Sequence, residues 1–274
     1  MRMTKQMQAA LYWARHRRLE FLNMDPAAKA LFARMSVQPN DARKAVINNL
    51  IKSFKSSGFW AKSDCIYIVA AHDAQAARLN WKADQFNLTA VNAPTFTVDR
   101  GYAGNGTTSY LDTGFNGSTA GGLFTQNSAH VGAWNRTSRA GADLCLLGIR
   151  ASTTNYTNLF PRSSGNAFIG RVNGPTNHLS VAETESKGHF LANRSGATAA
   201  EGYKNGASVV SNSAASVAIP NGNILLLARG VVSGSPDTFS TDQIAQASIG
   251  ASLSGAEVTA MYNALLTYMS AVGA

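Results

Sequence analysis

The sequence predicts a mainly β protein: an antiparallel two-sheet sandwich with a helical segment before it and an amphipathic helix closing it. Three observations carry this. About eleven short apolar or β-branched runs follow residue 62, with Gly, Asn and Ser between them, the pattern of many short strands joined by turns. Helical spacing of apolar residues appears before residue 62 and again after residue 254. The charge changes at the same place. Residues 1–62 hold 12 Lys and Arg against 3 Asp and Glu, a net of +9, and residues 63–274 hold 12 of each and sum to zero. Such a boundary marks modules with different partners, and it divides the chain into 1–62 and 63–274.

In residues 4–22, Met7, Leu11, Ala14 and Leu22 fall near one helical face, with Arg15, Arg17 and Arg18 around the other. Asp25-Pro26 restarts the helix, Asp25 as N-cap and Pro26 at the first helical position. That helix runs to about Met35, and Pro39 interrupts the chain. From Asp41, Ile47, Leu50, Ile51 and Phe54 repeat at i, i+3, i+4 and i+7, and Gly58 ends the helix.

The expected strands are CIYIVAA (65–71), PTFTV (94–98), SYLDT (109–113), HVGAW (130–134), LCLLGI (144–149), NAFIGRV (166–172), HFLAN (189–193), AEGY (200–203), ASVV (207–210), ILLLA (224–228) and IAQASI (244–249). Asn205-Gly206 between two of them accepts the positive φ angles of a tight hairpin turn. Ser254-Gly-Ala-Glu257 reads as a capping box. Val258, Met261, Tyr262, Leu265 and Met269 follow at helical spacing, so a helix over 254–271 packs on the sandwich.

Several chemistries find no pattern. Cys65 and Cys145 sit in apolar runs and read as buried thiols, with no zinc spacing around them. The five histidines are scattered, no G-x-S-x-G elbow surrounds a serine, and His72-Asp73 reads as a loop or cap after a strand. Gly101–Gly106 lacks the third glycine of a dinucleotide fingerprint and the lysine of a P-loop, and reads as a turn before a strand. No run of about 18 apolar residues suggests a membrane helix. The amino terminus lacks an apolar signal region, so the chain is expected to be made and kept in a cytoplasm.

Three segments together carry a family resemblance. GYAGNGTTSYLDTGF (101–115), the hairpin GYKNGASV (202–209) and the tail FSTDQIAQASIGASLSGAEVTAMYNALLTYMSAVG (239–273) resemble concanavalin A-like, or laminin-G-like, jelly-roll domains. In the tail, Met261 stands where the family's closing helix carries Leu before Tyr262. The likeness spans roughly residues 65–273. AAHDAQAARLNW, NLTAVNAPTFTVDRGYAGNGTTSYLDTGFN and LLLARG resemble the version carried by phage and prophage structural proteins.

The resemblance implies a sandwich of about 200 residues and no activity by itself. Glycosidases of this family set paired carboxylates along one strand as Glu-x-Asp-x-Glu. Residues 63–274 contain four glutamates, Glu183, Glu185, Glu201 and Glu257. Glu257 is spent on the cap, and no third acid follows Glu183-Thr184-Glu185. The expectation is therefore a protein that is not an enzyme. No cofactor is expected, although relatives that hold calcium at one rim leave Asp99, Asp112 and Asp143 as candidate acids. A lectin-type site would draw on Trp134-Asn135-Arg136, Tyr156 or Trp81, but an aromatic residue in a sandwich more often belongs to the core, and none is singled out as a site.

The basic amino terminus reads as a docking arm. Packing against its own sandwich comes next, and a solvated face, nucleic-acid contact and membrane-surface binding also rank below seating on an acidic protein surface of a larger assembly. Leu11, Trp13, Leu19 and Phe21 would anchor it, and Arg15, Arg17 and Arg18 would pair with carboxylates. The expected protein is thus a structural module of a phage virion, a capsid decoration, fibre or baseplate component. It would self-associate, fixed by its helices with the sandwich outward. The alternative is a module that recognises host surface glycan.

Overall fold

The computed structural model describes residues 4, 5, 7, 8, 23–175 and 179–274. Leu11, Trp13, Arg15, Arg17, Arg18, Leu19 and Phe21, the expected docking residues, all lie outside the described residues.

Two antiparallel sheets stack as a sandwich. The first runs in the order β13 (Ala207–Asn212), β12 (Ala199–Lys204), β11 (Gly188–Gly196), β6 (Ala129–Asn135), β16 (Gln243–Gly250), β4 (Gly101–Ala103), β3 (Thr95–Thr97), with β1 (Ser63–Ile68) also paired to β16. The second runs β10 (Leu179–Ala182), β9 (Ala167–Gly174), β8 (Asn155–Phe160), β7 (Leu147–Ser152), β14 (Leu225–Leu226), β5 (Tyr110–Asp112), β2 (Thr89–Val91). A two-residue strand, β15 (Gly230–Val231), lies parallel to β7.

Side chains alternate across each strand, which fixes the layers. Phe168 meets Phe190 between the sheets, ring centres 5.2 Å apart. Between them Gly170 lies so close to Ala192 that an added Cβ would stand 3.0 Å from the alanine methyl. The opposite face of the first sheet carries His130, Trp134, His189, Gln246 and Ser248. It is covered by α4 (Gly255–Ala271), whose Tyr262 stacks on Trp134 at 5.6 Å and 11°.

Three more helices join that layer: α1 (Pro26–Ala33), α2 (Asp41–Ser56) and α3 (Phe59–Lys62). Asp25 caps α1, its Oδ1 accepting from the Ala27 amide at 2.8 Å with Pro26 in the first turn, as the sequence predicts. Asn40 caps α2 through the Arg43 amide at 2.9 Å. Ile47, Leu50, Ile51 and Phe54 are all buried. They share one hydrophobic cluster with Phe59 and with Val258, Met261 and Leu265 of α4.

From residue 26 onward the helical segment does not stand apart from the sandwich, because its apolar stripe needs cover and finds it on α4. Polar ties add to the packing. Arg43 bridges to Asp99 at 2.7 Å, and Lys62 to Glu257 at 2.7 Å.

The capping box of α4 is complete. Ser254 Oγ accepts from the Glu257 amide, and Glu257 Oε2 accepts from the Ser254 amide at 2.7 Å. The Asn205-Gly206 turn forms with φ of 51° and 80° between Lys204 and Ala207, which pair across the hairpin. The strand count is the main difference: among the described residues sixteen form where eleven runs were read. Gly101, read as a turn, belongs to β4. LCLLGI enters its ladder only at Leu147, and of ILLLA only Leu225 and Leu226 are strand, since Leu227 turns to φ 65°.

Candidate functional site

The helices cover one face of the sandwich, and the opposite face carries an open cleft of about 480 Å³. Register builds it. Phe160 pairs with Ile169, Ile169 with Ser180, and Asn158 with Arg171, so these side chains share the outward face of the second sheet. Phe168 and Val172, at the alternate positions, are fully buried. Arg171 is held by its strand and by Asn158, whose Oδ1 accepts from Nη1 at 3.1 Å.

Two loops form the walls. The turn from Phe160 to Ala167 closes on itself through the Ser163 amide and the Ala167 carbonyl, 2.8 Å apart. Asp143 pins it from outside, accepting from the Ser164 amide at 2.9 Å and the Ser164 hydroxyl at 2.8 Å. On the other side, Arg229 and Asp237 exchange both backbone hydrogen bonds at 2.9 Å. This fixes the loop that places Arg229 and Thr238 at the cleft.

The floor is cationic and aromatic. The Arg171 guanidinium lies 4.8 Å from the Tyr156 ring centre and 5.8 Å from that of Phe160. The Arg229 guanidinium lies 5.5 Å and 5.8 Å from the same two rings. All four distances are within cation–π range. Asp237 grips Arg229 with two bonds, at 2.8 and 2.9 Å, and accepts a third from Arg150 Nε at 3.0 Å. Burial pushes the Arg171 pKa down. Burial also works against the charge on Arg229, but the Asp237 carboxylate outweighs it and lifts the pKa above the ordinary value. Burial alone would raise the Asp237 pKa, and its arginine partners bring it below the usual carboxylate range. Hydroxyls of Ser163, Ser164, Ser180 and Thr238 complete the lining.

The sequence-predicted candidates are dispersed. Of the aromatic residues considered for sugar, Tyr156 lies beneath this cleft. Trp81 is buried, edge-on to Tyr268 at 6.3 Å, and Trp134 is taken by its stack on Tyr262. Asn135 is buried and donates to the Ser186 carbonyl at 2.8 Å. Glu183 and Glu185 sit in the connection between β10 and β11. Glu183 pairs with Lys204 at 2.7 Å and accepts from the Glu185 amide, and Glu185 accepts from the Lys187 amide at 2.8 Å. That amide, more than any other neighbour, lowers the Glu185 pKa, the reverse of what a general acid needs.

Asp99, Asp112 and Asp143 do not meet. Asp99 pairs with Arg43, Asp112 accepts from Asn223, and Asp143 holds Ser164. Among the described residues no group of three His, Cys, Asp or Glu could hold a metal ion. Asp73 caps the turn after the strand, as read, accepting from the amides of Gln75 and Ala76, while His72 reaches across the chain to the Val37 carbonyl at 2.9 Å. Both cysteines are buried and unpaired with each other.

Sequence reading missed Arg171 and Arg229. The sequence marks each only as a lone cation beside apolar residues, in FIGRV and LLLAR, which does not distinguish a strand end from a buried floor.

No family model matches the chain, and no curated protein matches it. Solved structures do. A mutant of Trypanosoma rangeli sialidase displaying trans-sialidase activity is 10% identical and covers 82% of this chain with a TM-score of 0.53, the match spanning 39% of the sialidase. The receptor binding domain of botulinum neurotoxin D is 12% identical and covers 76% of this chain, over 54% of its own length, with a TM-score of 0.50. Domain 4 of a GH43 extracellular arabinanase from Geobacillus stearothermophilus, in complex with arabinotriose, is 14% identical over 73% of this chain and 98% of that domain, with a TM-score of 0.47. At these identities the sialidase and the neurotoxin domain, the two with a TM-score of 0.50 or above, show a shared fold, the two-sheet antiparallel sandwich, and nothing further.

Proposed function

We propose that this chain is a carbohydrate-binding module without catalytic activity, and that the cleft of the second sheet is its ligand site. The observation that carries this is the make-up of the cleft. Its volume falls within the about 300–1,000 Å³ of small-molecule sites. Guanidinium groups over aromatic rings form the floor, and four hydroxyl side chains line it. Such donors and acceptors match the hydroxyls of a sugar ring.

Hydrolysis would need two carboxylates flanking a bond. Asp143 is the one carboxylate in the lining, and it is engaged with Ser164. The receptor binding domain of botulinum neurotoxin D has the same fold, which supports recognition as a use for it without deciding the ligand. The test is a glycan microarray with the whole chain, repeated with Ser180→Trp. Ser180 is exposed on the edge strand of the cleft, so the indole fills the site while the core is untouched. Binding by the parent chain that the variant loses supports the reading; no glycan bound by the parent ends it.

The resemblance of residues 70–81, 87–116 and 225–230 to phage structural proteins favours a setting for such a module, a virion component with its helical layer toward the particle and its cleft outward. Mass spectrometry of purified particles tests this, and light scattering of the full chain tests the accompanying self-association. Absence from particles together with a monomeric chain would remove the virion role and leave the cleft as it is.

A further inference from the structure

We propose that Arg100 and Arg136 form a binding site for a tetrahedral oxyanion, a phosphate or sulfate group, at the rim of the first sheet. The site is separate from the cleft of the second sheet and does not depend on a sugar binding there.

The backbone brings the two arginines together across β16. Arg136 is the first residue beyond β6, and its amide donates to the Gln243 carbonyl at 2.8 Å, where β16 begins. On the other edge of β16, Tyr102 pairs with the same Ile244 that faces Asn135. The turn into β4 is pressed onto that strand: a Cβ on Gly101 would stand 1.9 Å from the Ile244 carbonyl. Arg100 closes this turn, its amide donating to the Thr97 carbonyl at 3.0 Å. One arginine is thus fixed on each side of β16.

Their charges lack an anion. Arg100 is the one charged group that acts on Arg136, and together with the larger effect of burial it pushes the Arg136 pKa down. Both residues are partly buried. Nη1 of Arg100 and Nε of Arg136 are buried donors with no acceptor among the described residues. Like charges brought together away from water are costly, and a shared anion offsets that cost. The neighbouring carboxylates are engaged elsewhere. Asp99 is bonded by Arg43 at 2.7 Å and Asp242 by Arg139 at 2.8 and 3.1 Å. Glu185 accepts from the Ser138 hydroxyl at 3.0 Å and the Lys187 amide at 2.8 Å. In the run Trp134-Asn135-Arg136, the tryptophan is stacked on Tyr262 and the asparagine is turned to the Ser186 carbonyl. The arginine is the residue of that run left for a ligand.

The class of anion follows from shape. One guanidinium fork takes up both oxygens of a carboxylate. Two forks from different strands call for a group with at least three acceptor oxygens and up to two charges, which phosphate and sulfate supply.

The experiment is calorimetric titration of the whole chain with inorganic phosphate, inorganic sulfate, glycerol 2-phosphate and acetate, at matched ionic strength in chloride. Phosphate or sulfate is expected to bind at least about tenfold more tightly than acetate, and the ion and ester arms show which form of the group is taken. Arg100→Gln and Arg136→Gln should each weaken that binding at least about tenfold. Lys52→Gln, exposed on the helical layer, should keep it. No tetrahedral anion bound by the parent chain, acetate bound as tightly, or an equal loss in Lys52→Gln would each overturn the inference. So would binding that survives both arginine variants and disappears in Ser180→Trp, which would move the anion to the cleft. Should the variants fail to fold, arginine footprinting of the parent chain with phenylglyoxal decides. Phosphate that protects Arg100 and Arg136 supports the site, and protection of other arginines alone overturns it. None of these outcomes bears on the glycan array, so the sugar site stands or falls separately.

Discussion

Asp242 shows what a single residue can commit a fold to. It is fully buried, and Arg139 reaches it with Nε at 2.8 Å and Nη2 at 3.1 Å. Burial outweighs that pairing and raises the Asp242 pKa. Removing the arginine leaves a carboxylate with no cation, and also frees the carbonyls of Ala142 and Arg162 that Arg139 holds. Arg139→Met is therefore expected to cost about 3–5 kcal/mol, read as a lowered denaturation midpoint in urea. The two thiols make a milder test. Burial pushes Cys65 and Cys145 each up to about 12, so a thiol reagent at neutral pH should label neither until the chain is unfolded. The burial of these cysteines was legible from the apolar runs around them. The cleft residues were not, because an arginine that ends an apolar run is as consistent with a solvated strand end as with a buried floor. Only the register that sets Arg171 opposite Asn158 distinguishes the two.

Elements with a local chemical signature were read from sequence closely, and their energies are local too. Ser254→Ala removes one half of the α4 capping box and should cost about 1 kcal/mol. Thermal unfolding of the variant measures it. Gly206→Ala acts at the hairpin turn. It forces a side chain onto φ of 80°, with a Cβ only 3.0 Å from Tyr262. A loss of roughly 1–2 kcal/mol is expected from the backbone term alone, and the same unfolding assay checks it. The elements missed have no such signature. β8 reads NYTNLF, whose Asn and Thr suit a turn as well as a strand, and it is fixed by neighbours on both sides. β4 and β15 are three residues or fewer and exist because a longer strand, β16 or β7, offers them an edge, and β2 rests on the equally short β5. Propensity does not register strands of that kind, since their hydrogen-bond partners are remote in the chain.

At the scale of the whole molecule, the histidines under the helical layer govern acid stability. His130 and His189 are fully buried. Burial brings His130 down to about 4, against a smaller opposing pull from its bond to the Ala251 carbonyl. Burial, then the neighbouring His130, brings His189 to about 3. The unfolded chain takes up protons near pH 6.5 and the folded chain does not. Stability is thus complete above about 6.5 and is lost as pH falls toward 4. The loss for His130 alone is on the order of 3 kcal/mol by pH 4. The lowered carboxyls of Asp25, Asp237 and Glu257 act in the same direction at lower pH, and Asp242, whose pKa is raised, acts against them. Melting temperature followed from pH 7.5 to 4.5 should fall, and fall less in His189→Gln, which has nothing to protonate. A flat profile in the parent chain would show that the two imidazoles are not held neutral. The sandwich as a class was legible from its many short runs. The attachment of residues 26–62 to it was not, because charge marks a boundary in composition and says nothing about where an apolar stripe finds its cover.

The position of β16 has a consequence for how the protein is made. Residues 243–250 lie between β6 on one side and β1 with β4 on the other. Among the described residues β1 has no other ladder partner. Translation runs from residue 1 toward residue 243, so β1, β4 and β6 wait for the strand that joins them until about 110 further residues have followed β6. Sheet closure cannot precede the synthesis of residues 243–250. A nascent chain stalled short of residue 243 carries unpaired strand edges of the kind that seed aggregation.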